Sequence, residues 1–378
     1  MPTLRSRAIL GRPAADKENQ QQPVEKEPEQ SKLAAVAEAA VAAAARLAAE
    51  RAAVAATAAA APAARAPLQI LRPSARREHQ HLSGPAHLTV TSSGDLMVSS
   101  TLQDGGRAGV LMLFPASGSA PRHVFGRHDG WHYPSGLAEA EPGTVWSASS
   151  ERCEVRKLRV DSGSTLCSVG AGQGDGDGQL RGPEGLTLAE NTLFVCDQHN
   201  HRVVAFDATE LTFAFSFGRH GSGDGELCFP RGLSARDGDP ELLVADTDND
   251  RISIFDRASG AFVRVIGSRG EAPGQFLSPD ACINNGKLLL VAEFLGKRIQ
   301  VLTRLGGPLQ VVHTSIDGRE LGQLSGAAMR GSTLFVSDFD YDCIEEFHCL
   351  TWEEASDALD ELEALAEATE AFHSLHVS

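Results

Sequence analysis

The chain has 378 residues, of which 42% are hydrophobic, and a formal net charge of −16. That is enough apolar chain for two or three domains with buried cores. Its acidity counts against a phosphate-binding role, and no apolar run approaches the length needed to cross a bilayer.

Charge divides the chain into three parts. Residues 1–81 carry 12 Lys/Arg against 8 Asp/Glu, residues 82–350 carry 22 against 34, and residues 351–378 carry none against 8. Residues 1–30 are polar, with almost no apolar clustering, and read as disordered. Lys17-Glu18-Asn19 spells a short degradation signal, a triplet that arises readily by chance. The basic start, with no acid before Asp16, has one property of an organelle transit peptide but too few hydroxyl side chains for one. Residues 31–61 are dominated by alanine. Ser31 is a cap and Pro62 a stop, so the run predicts a helix or tether. Leu33, Val36, Val41, Leu47 and Val54 keep no heptad register, which argues against a coiled coil. Residues 62–66 form a linker.

From residue 67 the pattern changes to short runs rich in Val, Phe and Leu, punctuated by Gly, Asp and Asn. The clearest stretch is Gly182-Pro183-Glu184-Gly185-Leu186, followed by Leu193-Phe194-Val195-Cys196-Asp197, Asn200-His201-Arg202-Val203 and Phe213-Ala214-Phe215-Ser216-Phe217. It predicts four strands. Copies recur with anchors at His87, Gly136, Gly185, Gly232, Ala281 and Gly326, spaced 49, 49, 47, 49 and 45 residues apart. Six such units predict an all-β, six-bladed β-propeller, because radial packing hides the sheet edges. Pro67-Leu68-Gln69-Ile70-Leu71 resembles Pro308-Leu309-Gln310-Val311-Val312, while the last unit shows only three strands. A strand near 67–72 is therefore expected to complete the last blade and close the ring. Beyond 350, Thr351 and Glu354 form a capping box before an acidic amphipathic helix over 351–378 carrying Leu359, Leu362, Leu365 and Phe372.

Pro-x-Gly-Leu, Val-x-Asp, Asn-x-Arg and the Gly/Asp-rich loops resemble the NHL-repeat family of six-bladed propellers over residues 67–350. The resemblance implies the fold. It does not imply one function, because propellers host binding modules and enzymes alike. In larger relatives such rings are fused to RING and coiled-coil modules and recognise substrates for ubiquitin ligases. This chain has no Cys/His cluster for a RING, so the corresponding role would be that of a detached recognition module.

Of the candidate sites, a crossing loop holds Arg127, His128, Trp131, His132 and Tyr133, and another holds His220. Exposed Trp, Tyr and Arg dominate protein interfaces, so these residues are the expected partner-binding set. Asp197, Asn200, Arg202, Asp246, Asn249, Arg251, Glu293, Arg298 and Asp338 repeat in register and read as a structural motif in which arginines pair with carboxylates. Asp246, Asp248 and Asp250 alternate as calcium ligands would, but they lie in the ordinary repeat turn and lack the rest of an EF-hand loop. The Gly-x-Gly-Asp-Gly runs precede no Lys-Ser/Thr and carry repelling aspartates, so they read as crossing loops. Inner-strand residues are plain apart from His87, and no Gly-x-Ser-x-Gly elbow is present. The seven cysteines, at 153, 167, 196, 228, 282, 343 and 349, form no Cys-x-x-Cys pair and read as buried thiols of a reducing compartment.

The expected function is a non-catalytic protein-interaction scaffold, intracellular and cytoplasmic, with a protein partner and no cofactor. A metal-dependent hydrolase at the channel mouth is the alternative. RNA binding ranks third, because the acidic ring opposes it.

Overall fold

A computed structural model describes residues 70–78, 82–101, 109–116, 121, 123–125, 133–286 and 288–350. The expected Ala-rich helix and the acidic C-terminal helix lie outside these residues. Twenty-four strands form six four-stranded antiparallel sheets. Blade 1 is β2 (Pro85–Val90), β3 (Leu96–Thr101), β4 (Gly109–Phe114) and β5 (His123–Phe125). Blade 2 is β6 (Pro134–Glu141), β7 (Thr144–Ser149), β8 (Glu154–Arg159) and β9 (Thr165–Val169). Blade 3 is β10 (Pro183–Ala189), β11 (Thr192–Asp197), β12 (Arg202–Asp207) and β13 (Thr212–Phe217). Blade 4 is β14 (Leu233–Ala235), β15 (Glu241–Asp246), β16 (Arg251–Asp256) and β17 (Phe262–Ile266). Blade 5 is β18 (Pro279–Asn284), β19 (Leu288–Glu293), β20 (Arg298–Thr303) and β21 (Pro308–Val312). Blade 6 is β22 (Leu324–Arg330), β23 (Thr333–Asp338) and β24 (Cys343–Cys349), completed by β1 (Leu71–Glu78).

The blades are held by six hydrophobic clusters, each shared between neighbours. Along β11, Leu193 and Val195 face blade 2, while Phe194 and Cys196 face blade 4. In β19, Leu289 and Val291 face blade 4, and Leu288, Leu290 and Ala292 face blade 6. Both faces of these strands are buried, so the continuous apolar runs are the alternation of a doubly covered strand. Inner strands approach closely at the axis. A Cβ on Gly185 would lie 2.0 Å from the Arg231 carbonyl oxygen, and one on Gly232 would lie 2.4 Å from that of Asp280. The anchor glycine of the repeat is thus a spacing requirement between blades.

Ring closure by an N-terminal strand near 67–72 is as expected, and among the described residues that strand continues to Glu78. β1 runs from Leu71 to Glu78 and pairs antiparallel with β24, with a register shift between Pro73 and Ala75. The reason is electrostatic as well as apolar. Leu71 packs in the cluster between blades 5 and 6, while Arg76 bonds Glu345 at 2.7 Å and Arg77 pairs with Glu346. Gln310 clamps the strand start, accepting from the Leu71 amide at 2.7 Å and donating to its carbonyl at 2.8 Å.

Candidate functional site

The second strand of blades 3 to 6 ends on a buried carboxylate, Asp197, Asp246, Glu293 or Asp338. Each accepts the amide of the loop that enters its blade, from Arg181, Cys228, Leu277 and Gly322 at 2.6, 2.7, 2.7 and 2.8 Å. In blades 3 to 5 an arginine opens the next strand and donates Nε to the same carboxylate, at 2.8, 2.7 and 2.7 Å for Arg202, Arg251 and Arg298. Asn200 and Asn249 donate to Asp197 and Asp246 as well. The remaining guanidinium nitrogens reach carbonyls of the Gly/Asp-rich loop. Arg202 takes those of Asp175, Gly176 and Gln179, and Arg251 those of Ser222, Gly223 and Glu226. The loops therefore turn oxygens onto a cation, the reverse of the amide cradle that an anion needs.

The residue after the turn adopts positive φ, with 54° at His201, 53° at Asp250 and 52° at Asp342. Its side chain latches the next blade. The Phe229 amide donates to His201 Nδ1 at 3.1 Å, the Ser278 amide to Asp250 Oδ1 at 2.7 Å, and the Gly84 amide to Asp342 Oδ1 at 2.6 Å. These contacts use up the metal candidates. Asp250 gives its second oxygen to Arg269 at 3.0 Å, and Asp246 is surrounded by donors, which leaves Asp248 alone and exposed. His201, His220 and Cys228 bring one ligand atom each within 4.8 Å. However, the His201 Nδ1 lone pair is already an acceptor, so the neutral ring carries its proton on Nε2 and offers nothing to a metal. Burial, then His220 and His199, lowers the pKa of His201 and keeps it neutral.

The channel mouth is built from the middle residue of Pro-x-Gly. A register shift follows the proline in β10, between Pro183 and Leu186, and in β18, between Pro279 and Ala281. Such a bulge breaks side-chain alternation and re-aims the residue within it. Glu184 thereby meets His87 of blade 1, Nε2 to Oε2 at 3.4 Å, passing over blade 2. Ser150 donates to the other Glu184 oxygen at 2.9 Å. Arg231 donates to Asp280 Oδ2 at 3.2 Å, while Asp280 Oδ1 is buried with no hydrogen-bond partner among the described residues. Burial raises the Asp280 carboxyl, and Arg231 and His87 only partly oppose it. For Glu184 burial also raises the pKa, but His87, Arg231 and Ser150 outweigh it and hold the carboxyl below its ordinary value. The charge of Asp280 raises Arg231. Further along the inner strands lies an open pocket of about 260 Å³ lined by Leu88, Glu139, Thr187, Leu233, Ile283 and Met329 among others.

Next to the mouth, the turns of blades 5 and 6 are apolar. Phe294 and Phe339 stand where blade 3 has Gln198 and blade 4 has Thr247. Their rings lie 6.1 Å apart. Leu295 is 58% exposed and Tyr341 44%. Arg231 lies 5.7 Å from the Phe294 ring centroid and Arg319 3.3 Å from that of Tyr341, and Lys297 pairs with Asp340 at 2.7 Å.

Of the expected partner-binding set, Arg127, His128, Trp131 and His132 lie outside the described residues. Tyr133 is exposed, with φ of 47°, at the position held by Gly182 and Phe229 in later blades. His220 is exposed and packs on His201, with centroids 4.4 Å apart. The structure does not join either to the apolar turns. Sequence reading passed over Glu184, Arg231 and Asp280. The available signal was three charged residues at one repeat position in consecutive blades.

No protein-family model and no curated protein matches the chain. Among solved structures it is similar to one described as "Streptogramin B lyase structure", with a TM-score of 0.49 and 13% identity, over 74% of this chain and 97% of that one. No helix among the described residues is long and apolar enough to cross a membrane.

Proposed function

We propose that this chain is a non-catalytic, NHL-like protein-interaction scaffold that docks its partner on the turns of blades 5 and 6. The observation that carries the reading is the exposed Leu295, Phe339 and Tyr341 beside half-buried Phe294, with Arg231 and Arg319 over the Phe294 and Tyr341 rings. In blade 4 the same turn spends Asn249 on holding Asp246. In blades 5 and 6 that position is Gly296 and Tyr341, and nothing in the ring requires Leu295 or Tyr341 to be apolar. Aromatic and arginine side chains presented together are the usual anchors of protein interfaces. The net charge of −12 over residues 82–350 favours a partner with basic flanks. Detached recognition in a ubiquitin-ligase-type assembly fits this reading. A metal-dependent hydrolase fits less well, because the Arg231 guanidinium already pairs with Asp280 and its charge opposes a doubly charged ion there.

The test is photo-crosslinking with a benzophenone amino acid at position 295, compared with position 263 on the outer strand of blade 4. Adducts are expected at 295, and they should disappear in a Phe339→Ser/Tyr341→Ser variant whose circular dichroism is unchanged. Equal adducts at both positions would overturn the reading.

A further inference from the structure

The mouth holds two carboxylates, Glu184 and Asp280, against one guanidinium, Arg231, with His87 completing the set. All four lie at the entry of an inner strand, in blades 1, 3, 4 and 5. Ser135 and Ser325, which match Glu184, Arg231 and Asp280 in repeat position in blades 2 and 6, are already bonded to neighbouring carbonyls. Asp280 is 2% exposed, yet Oδ1 has no donor among the described residues. A buried acceptor without a donor is costly, the more so when it is charged. At the same inner-strand entries the side chains of Glu184 and Arg231 are 24% and 38% exposed.

We infer that the channel mouth is a socket for a primary ammonium group, carried on a lysine side chain of the docked protein. An ammonium is a compact point charge with three donors, and it supplies the missing donor to Asp280 beside the Glu184 carboxylate. A divalent ion suits the set less well. No three ligand atoms of His87, Glu184 and Asp280 come within 4.8 Å of one another, whereas metal–ligand bonds of about 2 Å draw ligands closer than that. An incoming arginine would want both oxygens of one carboxylate, and Asp280 Oδ2 is already taken by Arg231. The source of the amine follows from continuity: Arg231 bonds Asp280 on one side and stacks on Phe294 on the other, so a chain lying on the apolar turns passes the socket. The source rests on the docking reading above, but the chemistry of the socket does not.

The first arm titrates n-butylammonium chloride into the full chain carrying isotope-labelled histidine, with the His87 signal assigned by His87→Gln. A saturable shift of His87 is expected with butylammonium, none with n-butanol or tetramethylammonium, and none with butylammonium in Glu184→Gln or Asp280→Asn. An unmoved His87 signal in the unaltered chain overturns the socket, whatever the variants do. The second arm uses a heptapeptide with one lysine among leucines, and the same peptide with that lysine acetylated. The lysine peptide should bind several-fold more tightly than butylammonium, and the acetylated peptide should lose the gain. Equal binding of the two peptides overturns lysine as the source. Retention of the gain in Phe339→Ser/Tyr341→Ser overturns the docking reading and leaves the socket standing.

Discussion

Blades 4 and 6 solve the same problem with different cations. In blade 4, Asp246 is held by Arg251, five residues along, and by Asn249 and Ser253. In blade 6, the arginine position is Cys343, and Asp338 keeps only the amides of Gly322 and Tyr341 as donors among the described residues. Burial pushes the Asp338 carboxyl up, and those amides do not fully offset it. The cations of blade 6 arrive from elsewhere, Arg319 from the entry loop and Arg76 from β1, and both bond Glu345. A local pair can form as soon as its hairpin does. The Arg76–Glu345 pair spans 269 residues and forms only when the ring closes. The repeat is self-sufficient where the chain is continuous and becomes dependent on distant segments where the circle is joined.

The largest expected effect lies on the local side. Asp246→Ala removes the buried carboxylate that the Cys228 amide, Asn249, Arg251 and Ser253 share and should cost about 3–5 kcal/mol, read by chemical denaturation as a shift of the whole transition. Arg76→Ala should cost less, about 1.5–3 kcal/mol, because Arg319 still reaches Glu345. Its signature is regional: hydrogen exchange should accelerate in β1 and β24 while β11 and β15 stay protected. Uniform acceleration would erase the proposed difference between the two blades.

A third test uses pH. Burial first, then Glu345 and Asp338, pushes the Cys343 thiol up to about 12, with Arg319 opposing. A folded value above the unfolded one means that the thiol's contribution is complete below about pH 8.5 and is lost as pH rises toward 12. At pH 10 that loss is about 2 kcal/mol. Cys343→Ser should remove this share of the alkaline decline in midpoint temperature, and an unchanged alkaline slope would show that the thiol stays unperturbed. The smallest effect belongs to Asp317, which meets Arg76 at 2.9 Å on an exposed loop. Asp317→Asn should leave the midpoint temperature unresolved from that of the unaltered chain, because solvent screens the pair.

The architecture was legible because each unit states it locally. Alternating apolar runs and Asp/Asn/Gly turns recur within about fifty residues, and the pairing of Asp197 with Arg202 spans five. Closure was legible in kind, from an orphan strand and a three-stranded last unit. The extension of the strand to Glu78 was not, because it rests on Arg76 and Arg77 meeting Glu345 and Glu346, contacts made across the ring. The apolar turns were visible as residues, but nothing local separated Phe294 and Phe339 from core side chains such as Phe335, which is fully buried.

What the amino-acid sequence determined alone is therefore the unit, its number of copies and its internal ion pair, all of which depend on short-range periodicity and turn chemistry. Tertiary structure alone decided the channel mouth. Whether Glu184 faces its own blade or the axis depends on a bulge of one residue, and whether it then meets His87 depends on where a strand 97 residues earlier is carried by the ring. Side-chain parity and the geometry of closure are properties of the assembled circle, and no window along the chain contains them.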